Sequence, residues 1–132
     1  MAYVVALDAG TTGVRAMAVT ESGSIERIAY REFTQHFPQP GWVEHDLSEI
    51  WTEMQAVIAE LAAELDEPIA AIGITNQRET VAAWDRRTRE PQHRAIVWQD
   101  RRTADVCDRL DADGQLDLVR RTTGLVLDPY FS

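Results

Sequence analysis

One stretch near the start constrains this chain more than any other. Val4-Val5-Ala6-Leu7-Asp8-Ala9-Gly10-Thr11-Thr12-Gly13-Val14-Arg15-Ala16 is an apolar run that stops at an aspartate, turns through Gly-Thr-Thr-Gly and resumes as a second β-prone run. Residues 3–7 are apolar at every position, the pattern of a central strand covered on both faces. Residues 14–20 read as a second strand, 21–24 as a turn, and 25–33 as a third, partly alternating strand at an edge. Short turns between three strands predict an antiparallel meander.

The first turn carries chemistry. Gly10 and Gly13 allow backbone angles and close approaches that a side chain forbids, so a phosphate can reach the N–H groups. Thr11 and Thr12 add hydroxyls, and Arg15 adds a fixed positive charge. Asp8, at the carboxyl end of the strand, is placed to serve Mg²⁺ through water. On spacing alone, a hairpin with a capping aspartate accounts for the run better. All 13 basic residues are arginine. With no lysine, a G-x-x-x-x-G-K phosphate loop is excluded.

Residues 34–45 form a loop broken by Pro38, Pro40 and Gly41, with Phe37 and Trp42 expected to pack down. His36 and His45 read as surface or capping residues. Asp46-Leu47-Ser48-Glu49 opens a helix in the manner of a capping box. Leu47, Ile50, Trp51, Met54, Val57, Ile58, Leu61 and Leu65 make one apolar face. Trp51 and Met54 are core candidates, and Pro68 ends the helix.

Residues 69–74 form a short apolar strand, predicted parallel to the first sheet by the strand–helix–strand rule. The sequel Thr75-Asn76-Gln77-Arg78-Glu79-Thr80 is abruptly polar, at the strand end where open α/β sheets gather ligands. Arg78 as a multiple donor and Glu79 as an acceptor could hold adjacent hydroxyls; an exposed loop explains them equally well. Residues 81–84 and 94–98 read as a hairpin. Trp98 could wall a carbon chain or simply fill a core. Asp100 is the expected cap of a helix to about residue 111, with Val106, Cys107 and Leu110 inward. Asp113 is the expected cap of a second short helix from 114 to 121, with Leu116 and Val119 inward. The apolar stretch 125–132 ends abruptly, as in a chain that continues.

The net charge of −9 opposes nucleic acid as a partner. No apolar run reaches the ~20 residues of a membrane helix. The start has no basic region of a signal peptide, and the single Cys107 suits a reducing cytoplasm.

Together these residues resemble the N-terminal part of the FGGY carbohydrate-kinase family, within it the glycerol kinase branch. The resemblance runs through residues 6–12, 40–46, Ile72-Gly73-Ile74-Thr75-Asn76-Gln77-Arg78-Glu79-Thr80, residues 95–99 with 101–103, and Thr123-Gly124-Leu125 with Asp128-Pro129-Tyr130-Phe131-Ser132. It implies an α/β fold with the ribonuclease-H-like core of actin and the sugar kinases: a mixed sheet with an antiparallel meander and flanking helices, here an incomplete first domain over 1–132. It implies ATP- and Mg²⁺-dependent phosphorylation of glycerol at its 3-hydroxyl. By matching positions, Thr11, Thr12, Gly13 and Arg15 would meet the nucleotide phosphates and Asp8 the Mg²⁺. Arg78, Glu79 and Tyr130 would bind glycerol's hydroxyls, with Trp98 against its carbons. The family usually has serine where this chain has Gly13. The general-base aspartate would lie beyond residue 132, so the piece alone is expected to be inactive, and its uncovered apolar faces to drive self-association. Another FGGY sugar kinase, or a non-catalytic actin-like nucleotide-binding module, is the competing reading.

Overall fold

A computed structural model describes residues 2–131. The described chain divides into two compact units, residues 2–35 with 46–77 and residues 36–45 with 78–131.

The first unit is a four-stranded mixed sheet backed by a helix. Strands β1 (Tyr3–Ala9), β2 (Gly13–Val19) and β3 (Ile25–Glu32) form the expected meander, and β5 (Ile69–Asn76) lies parallel to β1, giving the order β3-β2-β1-β5. Helix α1 (Leu47–Glu64) provides the crossover between antiparallel meander and parallel strand. The register explains the core. Val5 pairs with Ala18, Leu7 with Ala16, Ala9 with Val14, and Ala16 with Ala29. All seven are buried on one face, with Val57 and Leu61 of α1 closing over them. Small alanines on β2 and β3 let the helix approach the sheet closely. Asp46 caps α1, its Oδ1 accepting from the N–H groups of Ser48 at 2.8 Å and Glu49 at 3.2 Å. The capping box is half made, because the Glu49 carboxylate instead accepts from the Thr34 N–H and hydroxyl.

Two expectations fail here. β1 is central, as predicted, but it is covered on one face only, and Val4 is 48% exposed. Trp51 is 60% exposed and outside the core, whereas Met54 packs against it. Trp51 precedes Met54 by three positions, but the helix turns its indole off the stripe that Val57 and Leu61 define.

The second unit holds β4 (Glu44–His45), β6 (Ala95–Ile96), α2 (Ala104–Ala112) and α3 (Leu116–Thr123). The expected 81–84/94–98 hairpin is present as isolated antiparallel bridges, Val81 with Ile96 through paired bonds at 2.9 Å and Trp84 with Pro91, with the Gln92 N–H also donating to the Ala83 carbonyl at 3.0 Å. β6 also pairs with β4 on its other side, as a two-residue antiparallel ladder. Phe37 does not pack down and is 68% exposed, while His45 is fully buried, contrary to its reading as a surface residue. Asp100 does not cap a helix: α2 starts after Thr103, and the Asp100 carboxylate is occupied elsewhere. Asp113 ends α2 instead of starting α3, whose first residue follows Gln115. Gly124 closes α3 at φ +75°, the left-handed conformation glycine adopts freely. Val106 and Leu110 are more than a third exposed, and with Cys107 and Val119 they line an open groove of about 430 Å³. Ser132, the last residue of the Asp-Pro-Tyr-Phe-Ser run, lies outside the described residues.

Candidate functional site

In the first unit, β1 and β2 are joined through Gly10-Thr11-Thr12-Gly13, closed by the Gly10 N–H donating to the Gly13 carbonyl at 3.0 Å. The other carbonyls of the turn are also taken. Ala9 accepts from the Gln77 N–H at 2.9 Å and Gly10 from Gln77 Nε2 at 3.2 Å. Thr11 accepts from Gln35 Nε2 at 3.1 Å and Thr12 from the Phe33 N–H at 3.5 Å. Carbonyl oxygens repel an anion, so binding each to a donor inside the unit biases the turn toward accepting one. Thr12 and Arg15 are exposed, Thr11 is half-buried and Gly13 is buried. Asp8 lies directly across the ladder from Arg15. Its two carboxylate oxygens stand 3.9 and 4.0 Å from where a Cβ on Gly10 would be, so the carboxylate leans against the turn. No group of three His, Cys, Asp or Glu capable of holding a metal occurs among the described residues. A lone carboxylate beside a turn biased toward anions fits what Mg²⁺ would need there, since that ion keeps most of its waters and takes only one or two carboxylates.

In the second unit, the turn after β5 carries Arg78, exposed, and Glu79, half-buried. Glu79 sits at φ +64°, in the left-handed region that costs a side-chain-bearing residue of order 1 kcal/mol or more. Glu79 borders a cavity of about 110 Å³ with Ile96, Val97, Asp100, Arg102 and Phe131. Thr80 Oγ1, next in sequence, accepts from the Trp98 N–H at 3.3 Å. The Trp98 and Tyr130 rings meet edge to face at 5.6 Å, and Tyr130 meets Phe131 at 4.9 Å. Asp128 fixes this aromatic end: its Oδ1 accepts from the Tyr130 N–H at 2.8 Å and from the Arg101 guanidinium at 3.0 Å. The Tyr130 N–H, opposed by slight burial and helped by Arg101, holds the Asp128 carboxyl below its ordinary pKa. Glu79, Trp98 and Tyr130 are therefore neighbours within one unit, although 51 positions separate Glu79 from Tyr130 in the sequence.

Beneath them is a charge network that the sequence did not announce. Asp100 and Glu44 are 3% and 5% exposed. Arg102 reaches both: its Nε and Nη2 donate to Asp100 at 3.0 and 2.8 Å, and Nη2 to Glu44 at 2.8 Å. Asp100 also accepts from the N–H groups of Arg102 and Val43, both at 2.7 Å. The guanidinium lies 3.8 Å from the Trp42 ring centroid. Burial pushes the Asp100 carboxyl up, but the Arg102 and backbone hydrogen bonds outweigh it and leave its pKa lowered. Arg102 is raised, chiefly by its bond to Asp100. The Gly41–Trp42 turn and the end of β6 are thus locked together two residues after Trp98. Gln35, Gln77 and Arg102 are the supporting residues missed from the sequence. Gln77 was visible in its polar run, but only as part of an acceptor site; its backbone and side chain serve the first turn instead.

The FGGY family of carbohydrate kinases, N-terminal domain, matches residues 3–132. The chain belongs to the FGGY carbohydrate-kinase family. Among FGGY relatives it is 57% identical over 133 aligned positions to a glycerol kinase of Carboxydothermus hydrogenoformans and 53% identical to one of an Enterobacter species, covering 98% of this chain in each case. It spans 27% and 26% of those relatives' lengths. A solved structure of the Plasmodium falciparum glycerol kinase with ADP superposes with a TM-score of 0.92 at 33% identity, covering all of this chain and 27% of that one. A Lactobacillus acidophilus xylulose kinase gives the same TM-score at 22% identity over 98% of this chain and 26% of its own, and so speaks to the fold alone. The FGGY fold expected from the sequence, a mixed sheet with an antiparallel meander and flanking helices, is the one observed. No helix among the described residues is long and apolar enough to cross a membrane.

Proposed function

We propose that the protein carrying this chain is a glycerol kinase, transferring the γ-phosphoryl group of ATP to the 3-hydroxyl of glycerol. The observation that carries this is the grouping of Glu79, Trp98 and Tyr130 in one unit beside the turn that holds Arg78. A three-carbon triol needs a few paired donors and acceptors and one apolar wall. Glu79 accepts, Arg78 and the Tyr130 hydroxyl donate, and the Trp98–Tyr130 edge supplies the wall. The names of its relatives at over 50% identity support the same acceptor.

The Asp8–Arg15 turn is the proposed seat of the ATP phosphates. Thr11 and Thr12 hydroxyls, the Gly13 N–H and the Arg15 guanidinium bind and orient them, and Asp8 would hold Mg²⁺ through water. When bound, the ion would neutralise charge on the phosphates. Phosphoryl transfer depends on such positioning and charge stabilisation more than on covalent chemistry by the protein. A cytoplasmic location and self-association belong to the same proposal. So does inactivity of residues 1–132 alone, since they span about a quarter of the relatives' length.

The test is ADP release by the full-length protein with glycerol or D-xylulose as acceptor. Saturable ADP release with glycerol, in at least tenfold excess over xylulose in kcat/KM, supports the proposal. Preference for the pentulose would move the protein to another branch of the family, and acceptor-independent nucleotide binding without turnover would favour the non-catalytic module.

A further inference from the structure

Gly13 is buried although it has no side chain to bury. What closes over it is β3. A Cβ built on Gly13 would stand 2.4 Å from the Arg31 carbonyl oxygen, 2.7 Å from the Tyr30 hydroxyl oxygen and 2.8 Å from the Tyr30 ring edge. The phenol therefore occupies the place that a side chain at residue 13 would take, and it brings a hydroxyl there. Tyr30 Oη is 3.5 Å from Thr12 Oγ1, within hydrogen-bond reach. Its ring carries the Arg15 guanidinium at 5.3 Å from the centroid, and Arg15 and Tyr30 are direct partners across the β2–β3 ladder. Three groups assigned to the phosphates, the Thr12 hydroxyl, the Gly13 backbone and the Arg15 cation, thus meet at one side chain that belongs to no part of the turn's own sequence.

We propose that Tyr30 is a positioning residue for the nucleotide phosphates: its hydroxyl orients Thr12 and its ring holds the Arg15 guanidinium over the turn. The physical reason is preorganisation. Thr12 sits at an exposed hairpin tip with several rotamers open to it, and a free arginine explores many more. Ordering both before the ligand arrives removes that cost from binding. The hydroxyl beside Gly13 also gives the turn a further polar group where residue 13 supplies only its N–H. This inference rests on the assignment of the turn to ATP, and not on the identity of the acceptor.

The test uses the full-length protein and its Tyr30→Phe and Tyr30→Leu variants. MgATP affinity is measured by calorimetry without acceptor, and KM for ATP, KM for glycerol and kcat by ADP release. Tyr30→Phe keeps the ring and loses the hydroxyl, so MgATP binding weakens about threefold. Tyr30→Leu loses the stack as well, and binding weakens about tenfold. KM for ATP follows, while KM for glycerol, kcat and the melting temperature of Tyr30→Phe stay at wild-type values. Wild-type MgATP affinity in Tyr30→Leu overturns the proposal, and wild-type affinity in Tyr30→Phe overturns the role of the hydroxyl. A parallel loss of ATP affinity, glycerol affinity and melting temperature would reduce Tyr30 to a structural residue and also overturn it. If the wild type binds MgATP but does not turn over glycerol, the acceptor assignment fails while Tyr30 is still decided by the affinities. If the wild type binds no MgATP, both fail.

Discussion

Removing Arg102 should be the most damaging single truncation in the second unit, and the size of the effect can be worked from its surroundings. Arg102→Ala deletes three charge-assisted hydrogen bonds at 2.8–3.0 Å and leaves Asp100 and Glu44 facing each other almost without solvent. Bonds of this kind contribute about 1.5–3 kcal/mol each, but their sum overstates the loss. Arg102 keeps 14% of its side chain in water, and Asp100 keeps two backbone donors if the loop holds. A stranded carboxyl can also take up a proton, which at pH 7 costs about 4 kcal/mol for a group that ordinarily titrates near pH 4. The expected penalty at pH 7 is therefore about 3–5 kcal/mol.

The penalty depends on pH. In the wild type the folded Asp100 pKa is depressed, so its contribution is present above the ordinary carboxylate pKa and is lost as pH falls through the folded value. In Arg102→Ala the burial of Asp100 is opposed only by its backbone donors, proton uptake becomes the escape, and the variant's deficit shrinks as pH falls from 7 to 5, by at most about 1.4 kcal/mol per pH unit. Hydrogen exchange of amides in β4 and β6 of the full-length protein measures the local opening free energy at both pH values. A deficit under about 1 kcal/mol, or one equal at pH 5 and 7, would refute the reasoning. Arg102→Lys should recover less than half, because an ammonium cannot reproduce the two-carboxylate fork.

Three further outcomes follow from the geometry. Trp98→Leu loses the edge contact to Tyr130, so KM for glycerol should rise about tenfold with KM for ATP unchanged, a split that steady-state kinetics reads directly. Glu79→Gly should raise stability by about 0.5–1 kcal/mol in thermal unfolding, since glycine adopts φ +64° freely, while glycerol turnover collapses; unchanged turnover would remove Glu79 from the acceptor site. Gly13→Ala places a methyl 2.4 Å from a backbone carbonyl on β3, and its melting should show a loss of about 1–3 kcal/mol, because a backbone neighbour yields less than a flexible side chain.

The parts of this molecule that were legible in the sequence are those governed by local periodicity. The meander, the parallel β5 and α1 with its Asp46 cap each follow from runs of a single period bounded by turn residues. The turn at Asp8–Arg15 was legible for a similar reason: its glycines, hydroxyls and cation are contiguous. The rest depends on pairings across long separations, for which one sequence carries no signal. Asp100 read as a helix cap because a cap is the commonest local use of an aspartate before a helical pattern; Val43 and Glu44, more than fifty positions earlier, decide otherwise. Residues 94–98 read as a return strand to 81–84, and bridges at Val81–Ile96 and Trp84–Pro91 keep that pairing; the second partner, β4, went unread because its two residues are too few to register as a strand. Exposed Trp51 and Phe37 show the limit of reading burial from hydrophobicity alone. Tyr30, at an exposed edge-strand position, gave no sign of its relation to Gly13, because the strand register creates that relation.

The central claim is a division of labour: the turn at residues 8–15 takes the ATP phosphates, and residues 78, 79, 98 and 130 take glycerol. Hydrogen exchange on the full-length protein, with MgADP alone and with glycerol alone, tests it most directly. MgADP should slow exchange at residues 9–15, and glycerol should slow it at 77–81, 97–99 and 128–131. Glycerol that protects none of these segments, or a pentulose that protects them in its place, would contradict the account.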